Sequence, residues 1–116
     1  MIKPAGELIA AAQSQIECID VAEAKKLFDD RDKVIIIDVR EADSANESKL
    51  QDSVNISRGL LEMKTHKHIP DAETIILTHC GGGGRASLAA LTLKQMGYKN
   101  AYAITAPYDE IKKAFG

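Results

Sequence analysis

The segment with the clearest chemical content is HCGGGGR, residues 79–85, in which a cysteine is followed by four glycines and an arginine. An apolar, β-branched run precedes Cys80, and a helical pattern begins at Arg85. Glycine readily adopts φ > 0, so successive backbone N–H groups can face one concavity at the positively polarised helix N-terminus. We expect a thiolate at Cys80 beneath a bound anion. The expected anion-binding residues are the four glycines and the arginine: Gly81, Gly82, Gly83, Gly84 and Arg85.

Other known motifs also match residues 79–86 in part. A dinucleotide fingerprint, G-x-G-x-x-A at 81–86, lacks the acidic residue expected at the end of the following strand, NAYAIT. A P-loop is excluded because no Gly-Lys-Ser/Thr sequence follows the glycines. Tyrosine and dual-specificity phosphatases use His-Cys-x5-Arg, whereas this chain has His-Cys-x4-Arg. The shorter loop favours one sulfur atom on the cysteine over a tetrahedral phosphate.

Strands and helices alternate along the chain and must bring this loop to one edge of a sheet. Apolar runs predict strands at 16–19, 33–39, 53–56, 74–80 and 100–104. Helical patterns separate them at 20–28, 41–49, 58–64 and 85–96, and a last helix covers 108–115. This order predicts a three-layer α/β/α sandwich on a parallel sheet. Residues 1–15 are expected to form an amphipathic helix packed on one domain, residues 16–116.

Charged residues at the ends of other elements are further site candidates. Asp38 and Arg40 close the most apolar strand, at the sheet edge where open parallel sheets bind ligands. We expect them to share a crevice with Cys80 and to support the loop as an ion pair rather than react. Arg58 begins a helix and is a candidate second anion contact; the alternative is a solvated arginine.

The remaining reactive side chains carry weaker signals. His66 and His68 lie in a predicted exposed loop, with no Cys, His or carboxylate cluster at zinc spacing, so no metal site is predicted. Cys18 lies in a short strand without glycine or basic neighbours, which indicates core packing. His79 alternates with Cys80 along the strand, so a structural role is expected.

Composition excludes several classes of protein. The 116 residues suit one domain, and a formal net charge of -2 gives no basic nucleic-acid footprint. No apolar run approaches membrane-spanning length, and the N-terminus lacks a secretory core, so a cytoplasmic location is expected. In that reducing compartment Cys18 and Cys80 are expected to remain free thiols.

From about residue 16 to 115 the sequence resembles the rhodanese family, in particular its single-domain bacterial members. The resemblance is carried by IIDVRE (36–41), VNISRGLLEMK (54–64) and HCGGGGRASLAALTLKQMGYKNAY (79–102). It implies a five-stranded parallel sheet with helices on both sides. It also implies a sulfurtransferase without a cofactor, in which Cys80 carries sulfane sulfur as a persulfide. The implied partners are a small donor such as thiosulfate and an acceptor that is cyanide, a thiol or a protein.

Departures from the family pattern keep two other functions open. Lys49 to Ser53 replace a His-Ile-Pro-Gly-Ala turn, and residues 105–108 replace a Gly-Gly-aromatic segment. These changes favour a non-catalytic binding or sulfur-carrier module that presents a rhodanese-like surface. A Cys-dependent phosphatase or arsenate reductase using the same Cys-Arg cradle is the third interpretation.

Overall fold

The computed structural model describes residues 1–116, in which five strands alternate with six α-helices. The strands are β1 (Glu17–Ile19), β2 (Val34–Asp38), β3 (Ser53–Asn55), β4 (Ile75–His79) and β5 (Asn100–Ile104). The helices are α1 (Ala5–Gln13), α2 (Val21–Asp30), α3 (Ala42–Glu47), α4 (Leu61–His68), α5 (Gly84–Met96) and α6 (Tyr108–Phe115). A 3₁₀ turn, Arg58–Leu60, precedes α4.

The five strands form one parallel sheet in the order β1-β5-β4-β2-β3. Strand β4 is central and pairs with β2 and β5, so its C-terminal end opens at the middle of the sheet edge. Helices cover both faces of the sheet. The predicted α/β/α sandwich on a five-stranded parallel sheet is therefore confirmed.

Side chains of alternating residues in the strands enter two separate cores. On one face, Ile37 and Ile76 pack with α4 and α5, in a cluster that also contains Cys80. On the other face, Ile36 and Leu77 pack with α2 and α6. Burial on both faces explains why β2 and β4 read as continuous apolar runs.

Helix α1 lies against α5, outside the sandwich. Its Ala12 is fully buried, and the Gln13 side-chain amide donates a 3.1 Å hydrogen bond to the Ser87 hydroxyl. After the helix, Lys94 of α5 donates to the carbonyl of Gln15 over 2.8 Å. The N-terminal segment thus contacts the helix that begins at the glycine loop.

Two expectations were wrong. His66 and His68 lie in the last turn of α4 rather than in a loop. The 3₁₀ turn delays the start of this helix, which ends at His68, two residues before Pro70. Cys18 is exposed rather than buried in the core, because β1 is an edge strand paired only with β5.

None of the helices combines the length and apolar character that crossing a bilayer requires; the longest, α5, has 13 residues.

Candidate active site

The Cys80 loop joins the central strand to α5 and is fixed at both ends. The Thr78 hydroxyl, two residues before the cysteine, donates a 2.8 Å hydrogen bond to the carbonyl of Ala86 in the first turn of α5. Ser87 donates from its hydroxyl to the carbonyl of Gly83 over 2.7 Å. Strand end and helix start are therefore held together across a loop that consists of glycine.

Gly83 is the position at which this turn requires glycine. Its φ is 103°, in the left-handed region that other L-residues disfavour, and it directly precedes the first residue of α5. A Cβ at Gly83 would also lie 3.1 Å from the Cα of Thr105, in the loop after β5. Conformation and close backbone approach both disfavour a side chain here.

The Cys80 sulfur lies at the base of the loop, in a side chain that is 2% exposed. It accepts hydrogen bonds from the backbone N–H of Gly83 at 3.1 Å and of Ala86 at 3.4 Å. Both donors belong to the N-terminal end of α5, where the helix dipole adds partial positive charge. Backbone donors and the helix dipole therefore both face the sulfur, the atom through which cysteine reacts as a nucleophile.

Four further amides of the loop donate no hydrogen bond within the chain. They belong to the residues on either side of Gly83: Gly81, Gly82, Gly84 and Arg85. The exposed Arg85 side chain forms no ion pair, and its Nη2 lies 3.5 Å from where a Cβ on Gly81 would stand. The structure thus brings Cys80, the four glycines and Arg85 into one cradle with unused donors and one free positive charge.

Asp38 and Arg40 form a buried ion pair at the same sheet edge. The Arg40 Nη2 donates to one Asp38 carboxylate oxygen at 2.8 Å, and its Nε donates to the other at 3.0 Å. Nη2 also donates to the carbonyl of Ser48 at 2.6 Å, which ties down the loop after α3. The pair lies on the α6 side of the sheet, whereas Cys80 packs on the α5 side, and none of the surface grooves is lined by both.

Protonation equilibria in this cluster are shifted. Burial alone raises the pKa of Asp38, but hydrogen bonds from Arg40 outweigh it and the pKa falls below its ordinary value. The hydrogen bond to Asp38 raises the pKa of Arg40. Burial lowers the pKa of His79, which is fully buried and has no hydrogen-bond partner on either ring nitrogen. The imidazole is therefore a neutral packing group near neutral pH, consistent with a structural role.

Sequence reasoning noted Tyr108 only as part of the last helix and of the 105–108 departure, and assigned it no role at this edge. Its ring stacks on His79 with centroids 5.9 Å apart, and the Arg40 guanidinium lies 4.0 Å from its centroid. Its backbone N–H donates a 3.0 Å hydrogen bond to the carbonyl of Gly81. The available signal was an aromatic residue directly after a proline, where a helix begins beyond the end of a strand.

Arg58 is engaged elsewhere. Its guanidinium pairs with Glu62 at 3.2 Å and donates to the Thr92 hydroxyl at 2.8 Å. Thr92 lies eight residues beyond Gly84 in α5, about 12 Å along the helix from the cradle. The structure therefore does not place this arginine beside Cys80.

None of the three surface grooves is lined by a residue of the Cys80 loop. The largest, about 530 Å³, lies between β1 and α2 and is lined by Glu17, Lys26 and Arg31 among others. No group of three or more His, Cys, Asp or Glu side chains is placed to hold a metal ion. Chemistry at Cys80 thus suits a small anion, or a group presented by a larger molecule.

Residues 20–114 match the family model of the rhodanese-like domain. The chain belongs to the rhodanese-like family. The matched range covers strands β2 to β5 and the Cys80 loop, and it leaves α1 and β1 outside. No curated protein matches the sequence significantly.

Solved structures agree with the family. A protein of unknown function from Rhodopseudomonas palustris, described as a possible tyrosine phosphatase, is 25% identical, covers 100% of this chain and 94% of its own, and has a TM-score of 0.85. The polysulfide-sulfur transferase homodimer of Wolinella succinogenes is 27% identical, with 90% and 78% coverage and a TM-score of 0.74. The human single-domain sulfurtransferase TSTD1 is 20% identical, with 80% and 92% coverage and a TM-score of 0.70, and shows the fold alone.

Proposed function

We propose that this rhodanese-like domain is a sulfurtransferase that carries sulfane sulfur as a persulfide on Cys80. The observation that carries the proposal is the arrangement of donors around one sulfur atom. Two backbone N–H groups already bind the Cys80 sulfur, and four more in the same loop are unused. A persulfide adds one sulfur atom with a negative charge, which these amides and the α5 N-terminus can stabilise.

The first half-reaction loads the cysteine. The Cys80 thiolate attacks the outer sulfur of thiosulfate and forms a new S–S bond. The original S–S bond of the donor breaks, and sulfite leaves with the bonding electron pair. Arg85, exposed and without an ion-pair partner, supplies positive charge for the anionic donor and leaving group.

The second half-reaction releases the sulfur. A cyanide ion or a thiolate attacks the terminal sulfur of the persulfide, and the Cys80 thiolate leaves with the electron pair. The products are thiocyanate or a new persulfide on the acceptor. Because no groove encloses the Cys80 loop, the acceptor thiol can belong to a protein as well as to a small molecule. We propose a reducing, cytoplasmic setting, in which both cysteines are free.

Persulfide formation on the intact protein tests this proposal. Incubation with thiosulfate is expected to add the mass of one sulfur atom, and subsequent cyanide to remove it. Cys80→Ser is expected to abolish the adduct, while the matched variant Cys18→Ser, at the exposed second cysteine, retains it. A native protein that takes up no sulfur from thiosulfate or polysulfide, or a Cys80→Ser variant labelled like the native one, would overturn the assignment.

A phosphatase is the second candidate, favoured by the description of the Rhodopseudomonas palustris structure as a possible tyrosine phosphatase. Against it stands the loop, which has four residues between Cys80 and Arg85 where the phosphatase pattern has five. Hydrolysis of an aryl phosphate, lost in Cys80→Ser, would support this candidate. Reduction of arsenate that is lost in Cys80→Ser would instead support an arsenate reductase.

The flanking departures from the family pattern do not loosen the site, which weakens the case for a non-catalytic module. Lys49 donates from its ammonium to the carbonyl of Ser53 at 3.0 Å, and the Ser53 hydroxyl donates to the carbonyl of Leu50. The carbonyl of Lys49 accepts from Lys112 of α6 at 2.7 Å. The turn that lacks Pro-Gly is therefore closed by its own hydrogen bonds.

A further inference from the structure

The orientation of one glycine peptide in the cradle depends on a contact from outside the loop. The carbonyl of Gly81 accepts the 3.0 Å hydrogen bond from the backbone N–H of Tyr108, the first residue of α6. In a trans peptide the carbonyl and the following N–H point in opposite directions, and the chain contains no cis peptide. With the Gly81 carbonyl held toward α6, the N–H of Gly82 faces away from α6, toward the side on which Cys80 packs.

Nothing else in the loop fixes this peptide. Gly81 and Gly82 are exposed, and a Cβ on Gly82 would meet no atom within 4 Å. Glycine has no side chain to oppose rotation of the peptide, and a flipped peptide would direct a carbonyl oxygen into a site built for an anion. The hydrogen bond from Tyr108 is therefore the contact that selects the N–H-inward orientation.

The backbone N–H of Tyr108 is available to bond the Gly81 carbonyl because it lies at the start of α6. Pro107, which precedes α6, provides no side-chain cap, so the first N–H groups of α6 need acceptors from elsewhere. The Gly81 carbonyl fills that role at the positive end of the α6 dipole. The Tyr108 ring is held in turn by Arg40 and His79, and its hydroxyl is 2.8 Å from the Ser48 hydroxyl.

We propose that Tyr108 is a positioning residue for the cradle: its backbone N–H holds the Gly81 carbonyl outward, so that the Gly82 N–H is available to the anion on Cys80. This inference rests on the proposed function only in assuming that an anion binds there. The Asp38–Arg40 pair contributes through the ring, because it holds the guanidinium against which Tyr108 packs.

Two substitutions at one position isolate the hydrogen bond. Tyr108→Pro and Tyr108→Ala both remove the ring, but only proline removes the N–H. Proline is favoured at the first helical position, and the preceding Pro107 has φ -62° and ψ 146°, which a following proline accepts. The conservative variant Tyr108→Phe keeps both ring and N–H and is expected to behave like the native protein.

The readout compares alkylation of Cys80 by iodoacetate and by iodoacetamide, resolved by peptide mass spectrometry. Both reagents need the thiolate, but only iodoacetate carries a negative charge. The rate with iodoacetate divided by the rate with iodoacetamide therefore reports how well the cradle accepts an anion. Relative to Tyr108→Ala, the ratio in Tyr108→Pro is expected to fall about tenfold, the effect of one hydrogen bond to a charged group. An equal ratio in the two variants overturns the proposal, and a purely structural role would lower the melting temperature without changing the ratio.

Persulfide loading, measured in the same variants, separates this inference from the proposed function. If native protein takes up no sulfur but the ratio falls in Tyr108→Pro, the positioning role holds and the sulfurtransferase proposal fails. If native protein loads sulfur and the ratio does not fall, the sulfurtransferase proposal stands and the positioning role fails.

Discussion

The Cδ1 atom of Ile9 lies 2.9 Å from where a Cβ on Gly84 would stand, so the N-terminal helix closes against the first residue of α5. Ile9 belongs to α1, outside the range that matches the family model. The same helix reaches Ser87 through Gln13, and Ser87 bonds the carbonyl of Gly83. Helix α1 therefore contacts the first turn of α5, which carries part of the cradle.

The effect of Gly84→Ala should depend on Ile9. Alanine at a helical position gains up to about 1 kcal/mol over glycine, but its Cβ would displace the flexible end of the Ile9 side chain. We expect little net change in unfolding free energy in the native background and a gain of up to about 1 kcal/mol in Ile9→Ala, a coupling above about 0.5 kcal/mol. Chemical denaturation of the two single variants and the double variant measures it, and additive effects would show that the two residues do not touch.

Gly83→Ala and Gly82→Ala form a matched pair within the loop. Gly83 has φ 103° and lies close to Thr105, so alanine there should cost about 1–3 kcal/mol of unfolding free energy. Gly82 has no positive φ and open space, so alanine should be neutral or stabilising by up to about 1 kcal/mol. Equal losses at the two positions in thermal or urea unfolding would contradict this account of the turn.

Arg85→Ala should weaken the reaction with an anionic donor and leave stability unchanged. The side chain is exposed and forms no ion pair, so its removal costs the fold little. Loss of a charged contact to thiosulfate should lower the second-order rate of persulfide loading about 10- to 100-fold. Arg31→Ala, an exposed arginine in the groove beside β1, is the control and should load normally. Equal loading rates in the two variants would show that Arg85 does not contribute to donor binding.

Asp38→Ala should be among the most destabilising single changes. It leaves the buried Arg40 guanidinium without its carboxylate, which costs about 3–5 kcal/mol in comparable buried pairs. Asp29→Ala breaks the exposed Lys25–Asp29 pair and should cost less than about 1 kcal/mol. Urea denaturation at pH 7 compares them, and a loss below about 1 kcal/mol for Asp38→Ala would show that the ion pair does not support the fold.

His79 should make the protein less stable as the pH falls from 7 to 5. Burial lowers the pKa of the folded-state imidazole below its ordinary 6.5, despite the nearby Asp38 charge, so the unfolded chain binds the proton more readily. Stability is thus full above about pH 6.5 and falls below it, before Asp38, with its lowered pKa, begins to protonate. His79→Leu should make the melting temperature nearly independent of pH over this range. His68→Gln, at an exposed histidine, should leave the pH dependence as in the native protein. A native profile that is flat from pH 7 to 5 would show that His79 is not held neutral.

The sequence alone determined the elements, the parallel sheet and the cradle motif. The capping box of α2, with Asp20 and Glu23 bonded reciprocally, and the left-handed Gly97 that ends α5 are local signals, readable because neighbouring residues specify them. The Cys80 loop was readable for the same reason, since its donors belong to residues within six positions of the cysteine.

Only the tertiary structure decided which distant residues complete the site. Tyr108 meets Gly81 because β5 lies beside β4, and Ile9 meets Gly84 because α1 packs on α5; the sequence separation of these pairs carries no local signal. The same holds for Cys18, whose exposure follows from the edge position of β1, and for Arg58, whose partner Thr92 lies on another helix. Local bonding fixes the nucleophile and its donors, whereas packing between elements fixes the orientation of the peptides around them.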